Sequence, residues 1–92
     1  MEKNLLEYFT KNDWKIISAN NSVSKRFVFD SFIAAFAWMS RIAMHAEKLD
    51  HHPEWRNIYN KVDVNLITHD KNTVTVKDLE LAKIMDTFIE KN

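Results

Sequence analysis

Two histidines stand side by side at His51 and His52, preceded by Glu47 and Asp50 and followed directly by Pro53, the one proline of the chain. A third, His69, sits between Thr68 and the pair Asp70-Lys71. Imidazole is the side chain that gains and loses a proton near neutral pH without special help, so this grouping points to acid–base chemistry. Other chemistries are harder to build here. The sequence contains no cysteine, which excludes a thiol nucleophile and a disulfide framework. It contains no glycine either, and the loops that cradle nucleotide phosphates depend on glycine for close backbone approach. A first-row metal needs three or four convergent ligands. No H-E-x-x-H or comparable helical pair occurs, and adjacent histidines do not share a helix face. The expected metal ligands are therefore none.

These side chains need elements to position them. The segment from Ser31 to Leu49 repeats apolar residues at helical spacing, with Asp30 as the expected N-cap. Phe32, Phe36, Met39, Ala43 and Ala46 form its main apolar track, and Ile33, Ala37 and Ile42 widen it, with Trp38 and Met44 further round. So much apolar surface predicts a helix buried on more than one side, in part by another subunit, hence a homodimer or homotetramer. His45 on this helix is expected to be an ordinary, partly packed histidine. Pro53 lacks an amide donor and pushes His52 out of helical geometry, so His51 and His52 should fall just past the helix C-terminus.

Around this centre the pattern predicts an α+β domain. Glu2 to Thr10 reads as a short amphipathic helix, and Trp14 to Ala19 and Val23 to Phe29 as strands joined across Asn20-Asn21. Trp55 to Tyr59 and Val62 to Thr68 read as two more strands around Asn60-Lys61, with His69 closing the second on its more polar face. Thr75-x-x-Asp78 resembles a capping box ahead of a last helix that buries Leu81, Ile84, Met85 and Phe88. The order α-β-β-α-β-β-α suits one domain over residues 1–92, a four-stranded antiparallel sheet with three helices on one face. Without glycine, positive φ is expected at Asn20-Asn21, Asn60 and Asp70-Lys71-Asn72.

Composition narrows the partners. The chain has 13 Lys and Arg against 13 Asp and Glu, without a basic block, so no direct nucleic-acid footprint is expected. No apolar run approaches the roughly 20 residues of a membrane helix, and Met1-Glu2-Lys3-Asn4 does not open a signal peptide. A cytoplasmic protein without a membrane partner is the expectation. From spacing alone, two accounts of Asp50 to Trp55 stand. One is a reactive site; the other is a helix stop, a solvated histidine pair and a core aromatic.

Glu47-Lys48-Leu49-Asp50-His51-His52-Pro53-Glu54-Trp55, then Asn57-x-Tyr59-Asn60-x-Val62, Leu66-x-Thr68-His69 and Asp78, resemble the signature of the pterin-4a-carbinolamine dehydratases. The resemblance covers nearly the whole chain, with one departure: family members commonly carry glycine where this chain has Asn72-Thr73. It implies dehydration of 4a-hydroxytetrahydropterin (4a-hydroxytetrahydrobiopterin) to quinonoid dihydropterin, which recycles the cofactor of aromatic amino-acid hydroxylases. By the same resemblance His51, His52 and His69 surround the pterin, with His51 and His69 favoured for proton transfer and His52 for binding. Pro53 and the run Thr68, His69, Asp70 and Lys71 would shape the binding rim. Glu47 and Asp50 would meet the polar ring edge or orient a histidine, and Trp55 would wall the site or serve as a core aromatic. Asp78 would join the site or act only as a helix cap. The pterin is substrate, and no cofactor is implied. The alternative within the resemblance is an interaction module, because a family member in animals is also a dimerisation cofactor of a homeodomain transcription factor.

Overall fold

Alternating apolar residues make the centre of the sheet. In the computed structural model, which describes residues 1–89, β4 (Lys61–Leu66) buries Val62, Val64 and Leu66 and turns Lys61, Asp63 and Asn65 the other way. It lies between β2 (Ser22–Val28) and β3 (Glu54–Ile58), with β1 (Lys15–Ile17) outside β2, giving the antiparallel order β1-β2-β4-β3. The helices α1 (Lys3–Lys11), α2 (Phe32–Leu49) and α3 (Val76–Ile89) cover one face, where Phe9, Trp38, Ile42, Leu81 and Met85 pack onto Val23, Phe27 and the β4 residues. Fold class and element order are as expected, and the last three residues of the 1–92 span lie outside the described residues.

The buried face of α2 differs from the expected one. Ala35, Trp38, Ile42 and Ala46 face the core, whereas Phe32, Ile33, Phe36 and Met44 are exposed. Both tracks have helical spacing. The sheet accepts the one with alanines at its ends and Trp38 between Phe27 and Phe29, ring centroids 4.6 and 5.2 Å away. Ser31, not Asp30, caps the helix, its Oγ accepting the Ala34 amide at 3.0 Å. The second hairpin is also shorter than expected, ending at Leu66. Thr68 bridges to Thr73, and His69–Lys71 form a 3₁₀ turn, so His69 does not continue the strand.

Beneath α1 and α3 lies a satisfied polar node. Asp86 accepts from the Tyr8 hydroxyl at 2.7 Å, Trp14 Nε1 at 2.9 Å and Lys25 Nζ at 2.7 Å, and Lys25 Nζ also reaches the Asn12 carbonyl at 2.8 Å. Burial and then the bond to Asp86 push the Tyr8 phenol above its ordinary value, which keeps it a donor. The node ties α1 and α3 to β2.

Positive φ falls on Asp13, Asn21, Asp50, Tyr59 and Asn72. Asn21 and Asn72 are expected positions. In the β3–β4 turn, however, Tyr59 takes the left-handed conformation rather than Asn60, whose side-chain amide instead donates to the Phe29 carbonyl at 2.8 Å. Asn72 has φ 55 and ψ 32 and ends the 3₁₀ turn. Glycine enters that region without a Cβ clash, so Asn72→Gly should leave thermal stability unchanged or raised by up to about 1 kcal/mol. A drop in melting temperature would show that the Asn72 side chain, rather than its backbone, holds the loop.

Candidate functional site

The end of α2 aims the first histidine. Asp50 adopts φ 52, its amide reaches the Ala46 and Glu47 carbonyls, and the His51 amide bonds back to the Ala46 carbonyl at 3.1 Å. This is the Schellman arrangement, with Asp in the position that glycine usually fills. Reversing the chain there points His51 inward and leaves His52, followed by Pro53, at the surface. His51 and His52 therefore sit just past the helix, as their position before the proline implies.

His51 meets a buried carboxylate. Its Nε2 lies 2.6 Å from Asp78 Oδ1, and the side chains are 10% and 0% exposed. The other oxygen of Asp78 accepts from the Thr68 hydroxyl at 2.7 Å and from the Thr75 amide at 2.9 Å. The second contact is the capping interaction that Thr75-x-x-Asp78 predicts. Asp78 thus caps α3 with one oxygen and holds His51 with the other. Capping is the role that its spacing gives it, and the bond to His51 is a second contact of the same side chain.

The other two histidines are held at the surface. His52 Nε2 lies 2.8 Å from Glu47 Oε1, one turn back on α2, and His69 Nε2 lies 2.7 Å from Glu54 Oε2 at the start of β3. Both pairs are exposed, where such interactions are worth roughly 0–1 kcal/mol. They orient the rings weakly. Of the three, only His51 is locked.

Asp50, His51, His52, Ile67, Thr68, His69, Asp70 and Lys77 line one open cleft of about 400 Å³. That size suits a small bicyclic ligand. The structure therefore gathers the three histidines with Asp50, Thr68 and Asp70. It does not bring every candidate to the cleft wall. Lys71 lines a separate hollow with Thr73 to Val76 and the N-terminal residues Met1, Glu2 and Leu5. Trp55 is half-buried against the core, its ring centroid 6.3 Å from that of Trp38, which is the core-aromatic alternative. Pro53 and Glu47 are not among the residues lining the cleft, and Asp78 is buried against His51. Thr68 is 7% exposed, so little of it is available as rim.

Three residues of the site were missed by sequence reasoning. Glu54 is the partner of His69, and Ile67 and Lys77 join the wall. Glu54 stood within the quoted motif, but sequence adjacency to Pro53 gave no sign that it reaches across to a residue fifteen positions on. The first turn of α3 brings Lys77 over the cleft, and only the packed fold shows it. Among the described residues, no group of three or more His, Asp or Glu side chains is placed to hold a metal ion. No helix among them is long and apolar enough to cross a membrane.

Comparison with known proteins converges on one family. Residues 1–88 match the family described as Pterin 4 alpha carbinolamine dehydratase. A protein of Prochlorococcus marinus (strain NATL2A), named "Putative pterin-4-alpha-carbinolamine dehydratase", is 47% identical over 89 residues, covering 97% of this chain and 94% of that protein. One of Bordetella avium (strain 197N) with the same name is 53% identical over 73 residues, covering 79% of this chain and 68% of that protein. A crystal structure of a transcriptional coactivator/pterin dehydratase from Brucella melitensis superposes with a TM-score of 0.89 at 36% identity, covering 97% of each chain.

Proposed function

Because this chain belongs to the pterin-4a-carbinolamine dehydratase family, we propose that it is a hydro-lyase converting 4a-hydroxytetrahydropterin to quinonoid dihydropterin and water. In a cell with an aromatic amino-acid hydroxylase, this step would recycle that enzyme's cofactor. The observation that carries the reading is the convergence of His51 and His69 on one cleft, each with its Nε2 on a carboxylate.

The chemistry needs little more. The carbinolamine carries its hydroxyl on the carbon beside a ring nitrogen. One imidazolium gives a proton to the leaving oxygen and the C–O bond breaks. The nitrogen lone pair forms the C=N bond, and a neutral imidazole takes the proton that leaves the ring nitrogen. In this reading no cofactor takes part. His51 is fixed by Asp78, so it serves as the positioned group, and exposed His69 closes over the substrate from the rim. The carboxylates of Asp50 and Asp70 match the amino and ring N–H donors of a pterin, and the Lys77 ammonium matches its carbonyl oxygen. His52 contributes to binding. The direct test is dehydration of enzymatically generated 4a-hydroxytetrahydropterin, followed by absorbance. Acceleration above the rate in buffer supports the reading, and equal rates exclude it.

The outer face of α2 supports a second proposal, that the protein is a homo-oligomer. Phe32, Ile33, Phe36 and Ala37 surround an apolar hollow of about 360 Å³, with Ile33 79% and Phe36 57% exposed. A patch of this kind marks an interaction surface. The same face is what a transcriptional partner would use if the protein were instead an interaction module. Sedimentation at micromolar concentration should give a mass at least twice the 10.9 kDa of the chain. Ile33→Asp should lower it. A monomeric wild-type protein would leave that face to other partners.

A further inference from the structure

The hydroxyl of Thr68 belongs to an ordered set of donors that converges on Asp78, the carboxylate that holds His51. Thr68 Oγ1 carries one proton and places it on Asp78 Oδ2, 2.7 Å away. Thr68 and Thr75 are also 2.7 Å apart, oxygen to oxygen. With the Thr68 proton already committed, Thr75 must be the donor of that pair. Thr75 Oγ1 in turn accepts the Lys77 amide at 3.3 Å, which leaves its own proton free to give. The Thr75 amide supplies a further donor to Asp78 Oδ2 at 2.9 Å. Every proton on that side runs toward Asp78, as an acceptor-only carboxylate requires. Its second oxygen faces His51 Nε2 at 2.6 Å, and a carboxylate that can only accept makes the ring nitrogen the donor there.

We propose that Thr68 is a positioning residue: through Asp78 it holds neutral His51 in the Nε2–H tautomer, so that Nδ1 is the atom that exchanges a proton with the substrate. The role of Nδ1 rests on the dehydratase reading above; the tautomer does not. Nε2 is engaged by a side chain that is fully buried, whereas Nδ1 has no hydrogen bond among those found between described residues. A histidine ring held at one nitrogen by a carboxylate presents the other in a fixed direction. Thr68 therefore lines the cleft with little exposed surface and acts through Asp78.

The experiment is ¹⁵N NMR of the imidazole of His51 in the whole protein, at a pH where the ring is neutral, together with kinetics on 4a-hydroxytetrahydropterin. Wild-type protein should show Nε2 protonated and Nδ1 bare. Thr68→Val, close to isosteric, should leave a mixture of tautomers and lower kcat roughly tenfold with little change in KM, because part of the protein then presents the wrong ring nitrogen to the substrate. Thr68→Ser restores the hydroxyl and should restore both readouts. A wild-type ring protonated at Nδ1 would overturn the proposal, as would a Thr68→Val protein that keeps both the Nε2–H tautomer and wild-type kcat. If Thr68→Val fails to fold, the wild-type tautomer and the Thr68→Ser protein still decide: Nδ1–H in the first, or a mixture with low kcat in the second, refutes it. Absence of dehydration by wild-type protein with the Nε2–H tautomer intact would defeat the reaction assigned to the site and leave the positioning of His51 standing.

Discussion

Replacing His51 with alanine should lower kcat for dehydration by roughly 10²–10⁴-fold, the usual contribution of one positioned acid–base group. The expectation rests on how differently the structure treats the histidines. His51 is locked against Asp78 with only 10% of its side chain exposed, so its ring needs no reorganisation when substrate binds. His52 is 60% exposed and tied only to the exposed Glu47. His52→Ala should therefore raise KM more than it lowers kcat. His45 is the internal control. It stacks on Phe88, with centroids 5.3 Å apart, away from the cleft-lining residues, and His45→Ala should change neither constant appreciably. The fold should survive the loss of His51, because Asp78 keeps its bonds from Thr68 and Thr75. If His51→Ala retained wild-type kcat, the locked imidazole would be structural.

Trp38→Ala should lower the free energy of unfolding by about 3–5 kcal/mol, as for other large aromatic truncations in a core. Against a total of roughly 5–10 kcal/mol for a domain of this size, that is a large share. Trp38 is 1% exposed, meets Phe27, Phe29 and Trp55, and donates Nε1 to the Met85 carbonyl at 3.4 Å. Its removal leaves a hole between β2, β3 and α3, and α3 is the element that carries Asp78. Urea denaturation should show the midpoint falling with little change in slope. A loss under about 1.5 kcal/mol would mean that the neighbours collapse into the space as readily as in a volume-conserving swap.

Most of the architecture was legible because strands and helices announce themselves by period. The alternation Val62, Val64, Leu66 and the stop at Pro53 place β4 and the histidines directly. Two features were not legible for physical reasons. Helix α2 carries apolar residues nearly all round, so its period allowed two burial faces, and only the fit of Trp38 between two phenylalanines chooses one. The positive φ at Tyr59 contradicts local preference, since Asn60 is the better left-handed residue. There the side chain of Asn60 is committed to Phe29 instead. At the site, the motif indicated the histidines and Thr68, but not which of them is buried. That depends on α3 bringing Asp78 and Lys77 across from the far end of the chain. Thr68 and Glu54 show the consequence: one reads as rim and, though it lines the cleft, spends its hydroxyl on Asp78, and the other reads as spacing and holds His69.

The central claim is that His51 and His69 act on the substrate as one acid–base unit. The most direct test is a double-mutant cycle on kcat for 4a-hydroxytetrahydropterin, comparing wild type, His51→Ala, His69→Ala and the double variant. The carbinolamine also loses water unaided, because the ring nitrogen helps expel the hydroxyl, so the double variant should approach the rate in buffer. Its loss should be less than the product of the two single losses. A His69→Ala protein with wild-type kcat would contradict the account and leave the cleft as a binding surface.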